Sequence, residues 1–163
     1  YESLLASNMP IFKPDEFLSN ILPKKRLLGI DHGTKTLGIA ISNSDMTVAS
    51  PIKTIKRDKL KSDLSKLISI FDEYDITGLV MGWPLNMDGS VGPRCDSVRD
   101  FTNSVLKKRD LPVLLQDERM STMAIEKPMI TEDMTRKQRS LRTDKLAACW
   151  ILQTALDVLK KKM

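Results

Sequence analysis

The sequence predicts an α/β fold, a five-stranded mixed sheet in the order 3-2-1-4-5 with helices on its faces. Two β-rich runs, residues 26–31 and 36–43, are joined by a tight turn containing Gly33, the pattern of a hairpin. After the hairpin, short apolar runs alternate with stretches of helical periodicity, so later strands return parallel to the first through helical crossovers. The chain of 163 residues fits one domain at about 100–200 residues per domain. Residues 26–163 are expected to form that domain, and residues 1–25 an extension.

Each element has its own signal. The extension holds three prolines and one short helix, expected over 14–21; its opening on Tyr1 rather than methionine points to a trimmed end, and no function is assigned to it. Residues 47–55 supply a third strand, and Pro51, which lacks a ladder donor, puts it at a sheet edge. Leu60, Leu64, Leu67, Ile68 and Phe71 recur at helical spacing behind Asp58, which can cap a helix running to about Glu73. Residues 76–82 read as a short apolar strand. Gly92-Pro93 opens a second helix that buries Val98, Phe101, Val105 and Leu106. Residues 112–116 form the fifth strand. Ser121 or Thr122 caps a short helix that Pro128 disrupts, and a last helix covers 137–159.

Composition excludes several chemistries. With one histidine, His32, and two cysteines, Cys95 and Cys149, neither a disulfide scaffold nor a four-ligand zinc site can be built. A Ser-His-Asp triad would have to use His32. Metal chemistry must instead rest on carboxylates and a hard cation such as magnesium or manganese. No apolar run approaches the length of a membrane span. Residues 1–10 carry no secretory signal pattern, so a cytoplasmic location is expected.

Charge is concentrated at one end. Residues 134–163 hold eight basic residues against Asp144 and Asp157, whereas the rest of the chain is nearly balanced. Arg136, Lys137, Arg139, Arg142 and Lys145 fall within ten residues, more than helix solubility needs, and point to a phosphate backbone. Lys160, Lys161 and Lys162 suit the C-terminal end of a helix dipole.

Three acids could converge at the carboxyl edge of the sheet, where open α/β sheets bind ligands. Asp31 ends the first strand, and a carboxylate at the tip of an apolar strand is costly to bury unless paired or bound to a cation. The fifth strand ends in Asp117-Glu118-Arg119. Strand neighbours point to opposite faces, so only one of this acid pair can share a site with Asp31, and the apolar residues before it leave open which. Asp144 precedes Ala147, Ala148, Ile151 and Ala155 at spacings that put it on the apolar side of the last helix. Three such acids could hold the cations that drive phosphodiester hydrolysis. The loop over residues 82–90 lies at the same edge, with Asn86 and Ser90 as neutral phosphate donors. His32 reads chiefly as a turn residue and Trp83 chiefly as a packed anchor rather than a base-stacking surface.

Together the segments LGIDHGTK (28–35), GWPLNMDGS (82–90), DERMST (117–122) and DKLAA (144–148) resemble the YqgF family, over about residues 26–159. Members are described as Holliday-junction-resolvase-like and as nucleases maturing the 5′ end of pre-16S ribosomal RNA. The resemblance implies an RNase H-like fold and a metal-dependent endonuclease using Mg²⁺ or Mn²⁺. It carries catalytic, metal-holding acids onto Asp31, Glu118 or its neighbour Asp117, and Asp144. Nucleic-acid contacts fall on Lys35, Asn86 and Arg119, beside Lys137 and Arg139 from the basic segment. The chain departs from the family pattern at Trp83, usually a smaller aliphatic residue, and at Pro128, within a segment that usually continues as helix.

Structured RNA, a pre-rRNA, is the expected partner, with branched DNA as the alternative substrate and a noncatalytic RNA-binding ribosome-assembly factor as the alternative class. Residues 31–34 also resemble the first phosphate loop of actin- and hexokinase-like ATPases, but a single domain cannot supply both halves of their nucleotide clamp. Monomer and homodimer are both compatible with the sequence.

Overall fold

The middle of the central strand β2 (Arg26–His32), from Leu27 to Ile30, is apolar because both its faces are covered. A computed structural model describes residues 11–119 and 136–163, with the side chains of 12–119 and 145–163. Expectations for Ser121, Thr122 and Pro128, and for the side chains of Lys137, Arg139 and Asp144, lie outside the described residues.

β2 turns at Gly33 into β3 (Thr36–Ser42), its antiparallel partner from Leu28 opposite Ile41 to His32 opposite Leu37. The turn closes through the Gly33 N–H to the Thr36 carbonyl, and a Cβ on Gly33 would stand 2.8 Å from that same oxygen. Only glycine fits there. β4 (Ala49–Lys56) follows as the edge strand expected from Pro51, with a register shift where Ala40 faces Pro51.

Helix α2 (Leu60–Tyr74) starts one residue later than an Asp58 cap requires; its N-cap is Lys59, without a side-chain cap. The correction has a local cause. Asp63 folds back from the first turn to accept the Asp58 N–H at 3.1 Å, so the acid inside the helix serves the end that the acid outside was expected to serve. β5 (Ile76–Trp83), buried along its whole length, pairs parallel with β2. Helix α3 (Pro93–Lys108) opens on Gly92 and Pro93 as expected. β6 (Val113–Asp117) pairs parallel with β5, and α4 (Arg136–Lys160) closes the chain.

The five strands β2 to β6 take the predicted order, and the extension lengthens it. Strand β1 (Ile11–Phe12) adds a sixth, parallel to β6, and helix α1 (Pro14–Asn20) lies beyond it. One face packs Leu28, Ile30, Leu79 and Met81 against α2 and α3. The other packs Leu27, Val80 and Leu114 against α4 and Phe17 of α1. Here α4 sits tightly on β2, since a Cβ on Gly29 would lie 2.7 Å from the Leu152 Cβ. No described helix is long and apolar enough to cross a membrane.

Candidate active site

Side-chain alternation decides what meets Asp31. Leu27 of β2 packs on the α4 face, so Asp31, four residues on, is directed to that face. On β6, Leu114 belongs to the α4 face and Val113 and Leu115 to the other, which gives Glu118 the parity of Asp31 and Asp117 the opposite one. The Glu118 N–H continues the sheet ladder to the Trp83 carbonyl at 3.2 Å, holding this alternation one residue past the strand.

The Glu118 carboxyl hydrogen-bonds with Asp31, and its Oε1 is buried with no hydrogen-bond partner. Burial first, then the charge of Asp31 and the hydrogen bond between them, push the Glu118 pKa up to about 8. The pair thus holds a proton at neutral pH. Room for Glu118 comes from Gly82, where a Cβ would lie 2.8 Å from Glu118 Oε2 and 2.7 Å from Ile151 Cδ1. Asp117 is committed elsewhere. It accepts from Arg119 Nε at 2.8 Å and from a terminal guanidinium nitrogen at 2.6 Å, and this pairing holds its carboxyl below the usual range.

These acids open into a cleft of about 460 Å³ lined by Asp31, Gly33, residues 84–87, Pro93, Arg94, Glu118 and Arg119. Its loop wall is fixed from within. Asn86 donates to the Ser90 hydroxyl at 2.9 Å, that hydroxyl donates to Asp88 at 2.6 Å, and Arg119 reaches the Met87 carbonyl at 3.3 Å. Asn86 and Arg119 therefore belong to the cleft, whereas Lys35 is exposed in the hairpin turn outside its lining. Trp83 is buried in the core, as a packed anchor.

His32 faces the other side of the sheet. It packs on Phe101 with ring centroids 4.7 Å apart, and its Nε2 lies 3.0 Å from an Arg57 guanidinium nitrogen. Burial, then the Arg57 charge, depress its pKa to about 4, so the imidazole is neutral and accepts from Arg57. His32 thus lines a separate hollow with Arg57 and Phe101 rather than the acid cleft.

Residues 25–158 match the family described as "RuvX: Holliday junction resolvase". The chain belongs to this family. The match spans the motifs at 28–35, 82–90, 117–122 and 144–148 that suggested YqgF kinship. Among relatives of this RuvX-family chain, a protein of Paramagnetospirillum magneticum is 44% identical over 149 residues, covering 91% of this chain and 96% of its own. One of Rhodospirillum rubrum is 46% identical over 155 residues, covering 94% and 96%. Both carry the name "Putative pre-16S rRNA nuclease". A solved structure, "T. thermophilus RuvC in complex with Holliday junction substrate", aligns with 84% of this chain and 96% of its own at a TM-score of 0.54 and 12% identity. That is a likeness of fold, and the fold is RNase H-like.

The structure brings together Asp31, Glu118, Asn86 and Arg119. No three potential metal-ligating side chains converge among the described residues. Asp144 lies one turn before Ala148 in α4, with its carboxylate outside the described side chains. The acid pair fits a hard divalent cation, because its donors are carboxylate oxygens and Glu118 Oε1 is buried without a partner. Sequence reasoning missed Gly82, whose role depends on a side chain from another strand. It also missed Arg94, for which the Gly92-Pro93 helix start one residue earlier was the available signal.

Proposed function

We propose that residues 26–163 form a nuclease domain that cleaves phosphodiester bonds of structured RNA with divalent metal. Its role is maturation of the 5′ end of pre-16S ribosomal RNA, in cytoplasmic ribosome biogenesis. The observation that carries this reading is the pair of Asp31 and Glu118 crowded at the head of a solvent-open cleft, with Glu118 raised to about 8. Two carboxyls held this close favour either a shared proton or a cation between them. Close kinship with proteins named as pre-16S rRNA nucleases supports the choice of substrate.

In this reading Asp31, Glu118 and Asp144 hold Mg²⁺ or Mn²⁺, and the bound ion supplies Lewis-acid charge to the phosphate and a stronger water nucleophile. To hold such a cation both carboxyls would have to be ionised, so the proton shared by Asp31 and Glu118 would be absent from the loaded site. Asp117 stays ionised on Arg119, which keeps that guanidinium at the Met87 carbonyl and so fixes the loop wall beside the acids. Asn86, Arg119 and Lys35 contact the backbone of the nucleic acid, and Lys137 and Arg139 extend that contact.

The test offers purified protein a pre-16S RNA fragment and a four-way DNA junction side by side, with magnesium or manganese. The expected result is metal-dependent RNA cleavage that Asp31→Asn and Asp144→Asn abolish while RNA binding persists. Asp157→Asn should remain active, since Asp157 is exposed, accepts from Gln153 at 3.1 Å and is not part of the cleft lining. Cleavage of the junction alone would turn the assignment to branched DNA, the substrate in the family description. Binding of RNA without cleavage of either would turn it to a noncatalytic assembly factor.

A further inference from the structure

We infer that Arg94 is the phosphate anchor of the cleft, its guanidinium gripping the non-bridging oxygens of the phosphate that lies against Asp31 and Glu118. The inference deepens the nuclease reading and rests on it. It starts from a problem of charge. A nucleic-acid phosphate is anionic, and in the absence of the divalent cation a cleft headed by carboxyls repels it unless a cationic side chain faces the same space. Arg94 lines that cleft with Asp31, Gly33 and Glu118, and its charge reaches the Glu118 carboxyl.

The other arginines near this edge give most of their donors to protein groups. Arg119 gives Nε and a terminal nitrogen to Asp117 and another to the Met87 carbonyl. Arg57 is bound to Gly33, His32 and the buried Asp63. Arg94 is exposed and forms no ion pair or side-chain hydrogen bond among the described residues. Its place in the chain is unfavourable for a cation. It is the second residue of α3, where the positive end of the helix dipole disfavours positive charge. The carboxyls of the cleft face this charge, and an anionic ligand there would meet it directly. Arginine also suits the task, because its planar fork meets two phosphate oxygens at once. The neighbouring geometry holds it in place. Pro93 fixes the backbone just before it, and Asn86 packs on Gly92, where a Cβ would lie 3.0 Å from the amide oxygen.

The experiment compares Arg94→Ala, Arg94→Lys and the control Arg99→Ala, which lies on the same helix and pairs with Asp96. Binding to the pre-16S RNA fragment is titrated across salt without divalent metal, and single-turnover cleavage is followed at saturating RNA with magnesium. For Arg94→Ala the slope of log affinity against log salt should flatten by about 0.7–0.9, one lost phosphate contact. The cleavage rate should fall about 100-fold, the scale of losing one donor to a developing charge. Arg94→Lys should keep the salt slope, since the charge remains, and recover the rate only in part, since the fork is lost. Arg99→Ala should change neither. Arg94→Ala should melt at or slightly above the wild-type temperature, because an exposed cation leaves the helix N-terminus, and marked destabilisation would overturn the assignment by giving Arg94 a structural role. An unchanged slope overturns the anchor whether or not the wild type cleaves RNA. A flattened slope with wild-type cleavage overturns its place at the scissile phosphate. Wild-type protein that cleaves nothing ends the nuclease reading, and the slope then decides whether Arg94 holds a phosphate.

Discussion

Asp117 and Glu118 are adjacent, chemically alike and held in opposite states. Arg119 keeps Asp117 ionised, whereas burial and Asp31 keep a proton on Glu118. The second state costs stability as pH rises. Folding raises the Glu118 pKa from 4.5 to about 8, so the folded chain binds the proton more tightly than the unfolded one. The contribution is fully present below pH 4.5 and is lost as pH climbs towards about 8. His32, whose pKa folding lowers from 6.5 to about 4, gives an opposite slope up to about pH 6.5. Thermal melts of metal-free protein should therefore show a Tm that declines between about pH 6.5 and 8 for wild type and stays flat there for Glu118→Gln. A parallel decline in both would remove Glu118 as its source. Gly82 allows this carboxyl its position. In Gly82→Ala the new methyl displaces the ends of the Glu118 and Ile151 side chains, both within 2.8 Å of its Cβ. Cleavage should fall at least 10-fold, towards the roughly 100-fold cost of a 1 Å misplacement, while stability changes modestly. Single-turnover rates beside melting curves measure both.

Among the elements, the β2–β3 hairpin and α4 position the site from opposite sides. The hairpin is clasped by Arg57, which donates to the Gly33 carbonyl at 3.0 Å and pairs with Asp63 at the start of α2. Asp63 is fully buried, so Arg57 also neutralises a charge that would be expensive alone. Asp31 is thereby tied to a rigid turn. On the other face, α4 carries Ala148 and Leu152 against Gly29, and its first turns hold the basic cluster from Arg136 to Lys145. If that cluster follows the RNA backbone, replacing Lys137 and Arg139 with glutamine should weaken binding to all sequences alike and reduce the salt slope by about one to two. The cleavage rate at saturating RNA should change less than affinity. Salt titrations of wild type and double variant check this, and equal slopes would mark both side chains as solvated.

At the scale of the molecule, residues 11–21 are built into the core. β1 continues the sheet beyond β6, and Phe17 is fully buried against the α4 face, where a Cβ on Gly78 would stand 2.9 Å from its ring. Cutting Phe17 back to alanine should cost about 3–5 kcal/mol, the range for a buried aromatic. Urea denaturation would measure it, and a loss below about 1 kcal/mol would show that α1 docks without supporting the domain. The acid pair lies at the other end of the strands, so Phe17→Ala should lower stability with little change in cleavage rate under conditions where the variant is folded.

The order of the elements was legible in the residues because it rests on short-range signals. Turn chemistry at Gly33, the Gly92-Pro93 start of α3 and the periodicity of residues 60–71 each act within a few positions, and four ordered motifs sufficed to indicate the family. Asp31 could be placed at a strand tip for the same reason. Tertiary packing alone decided which acid meets it. Val113, Leu114 and Leu115 are all apolar because β6 is covered on both faces, so alternation becomes readable only when α4 covers one face and α2 and α3 the other. Strand β1, at two residues, is too short to have a pattern and exists through its pairing with Val113 and Leu114. The proton on Glu118, the space left by Gly82 and the uncommitted charge of Arg94 likewise depend on groups distant in sequence, because burial and Coulomb interactions act between neighbours in space.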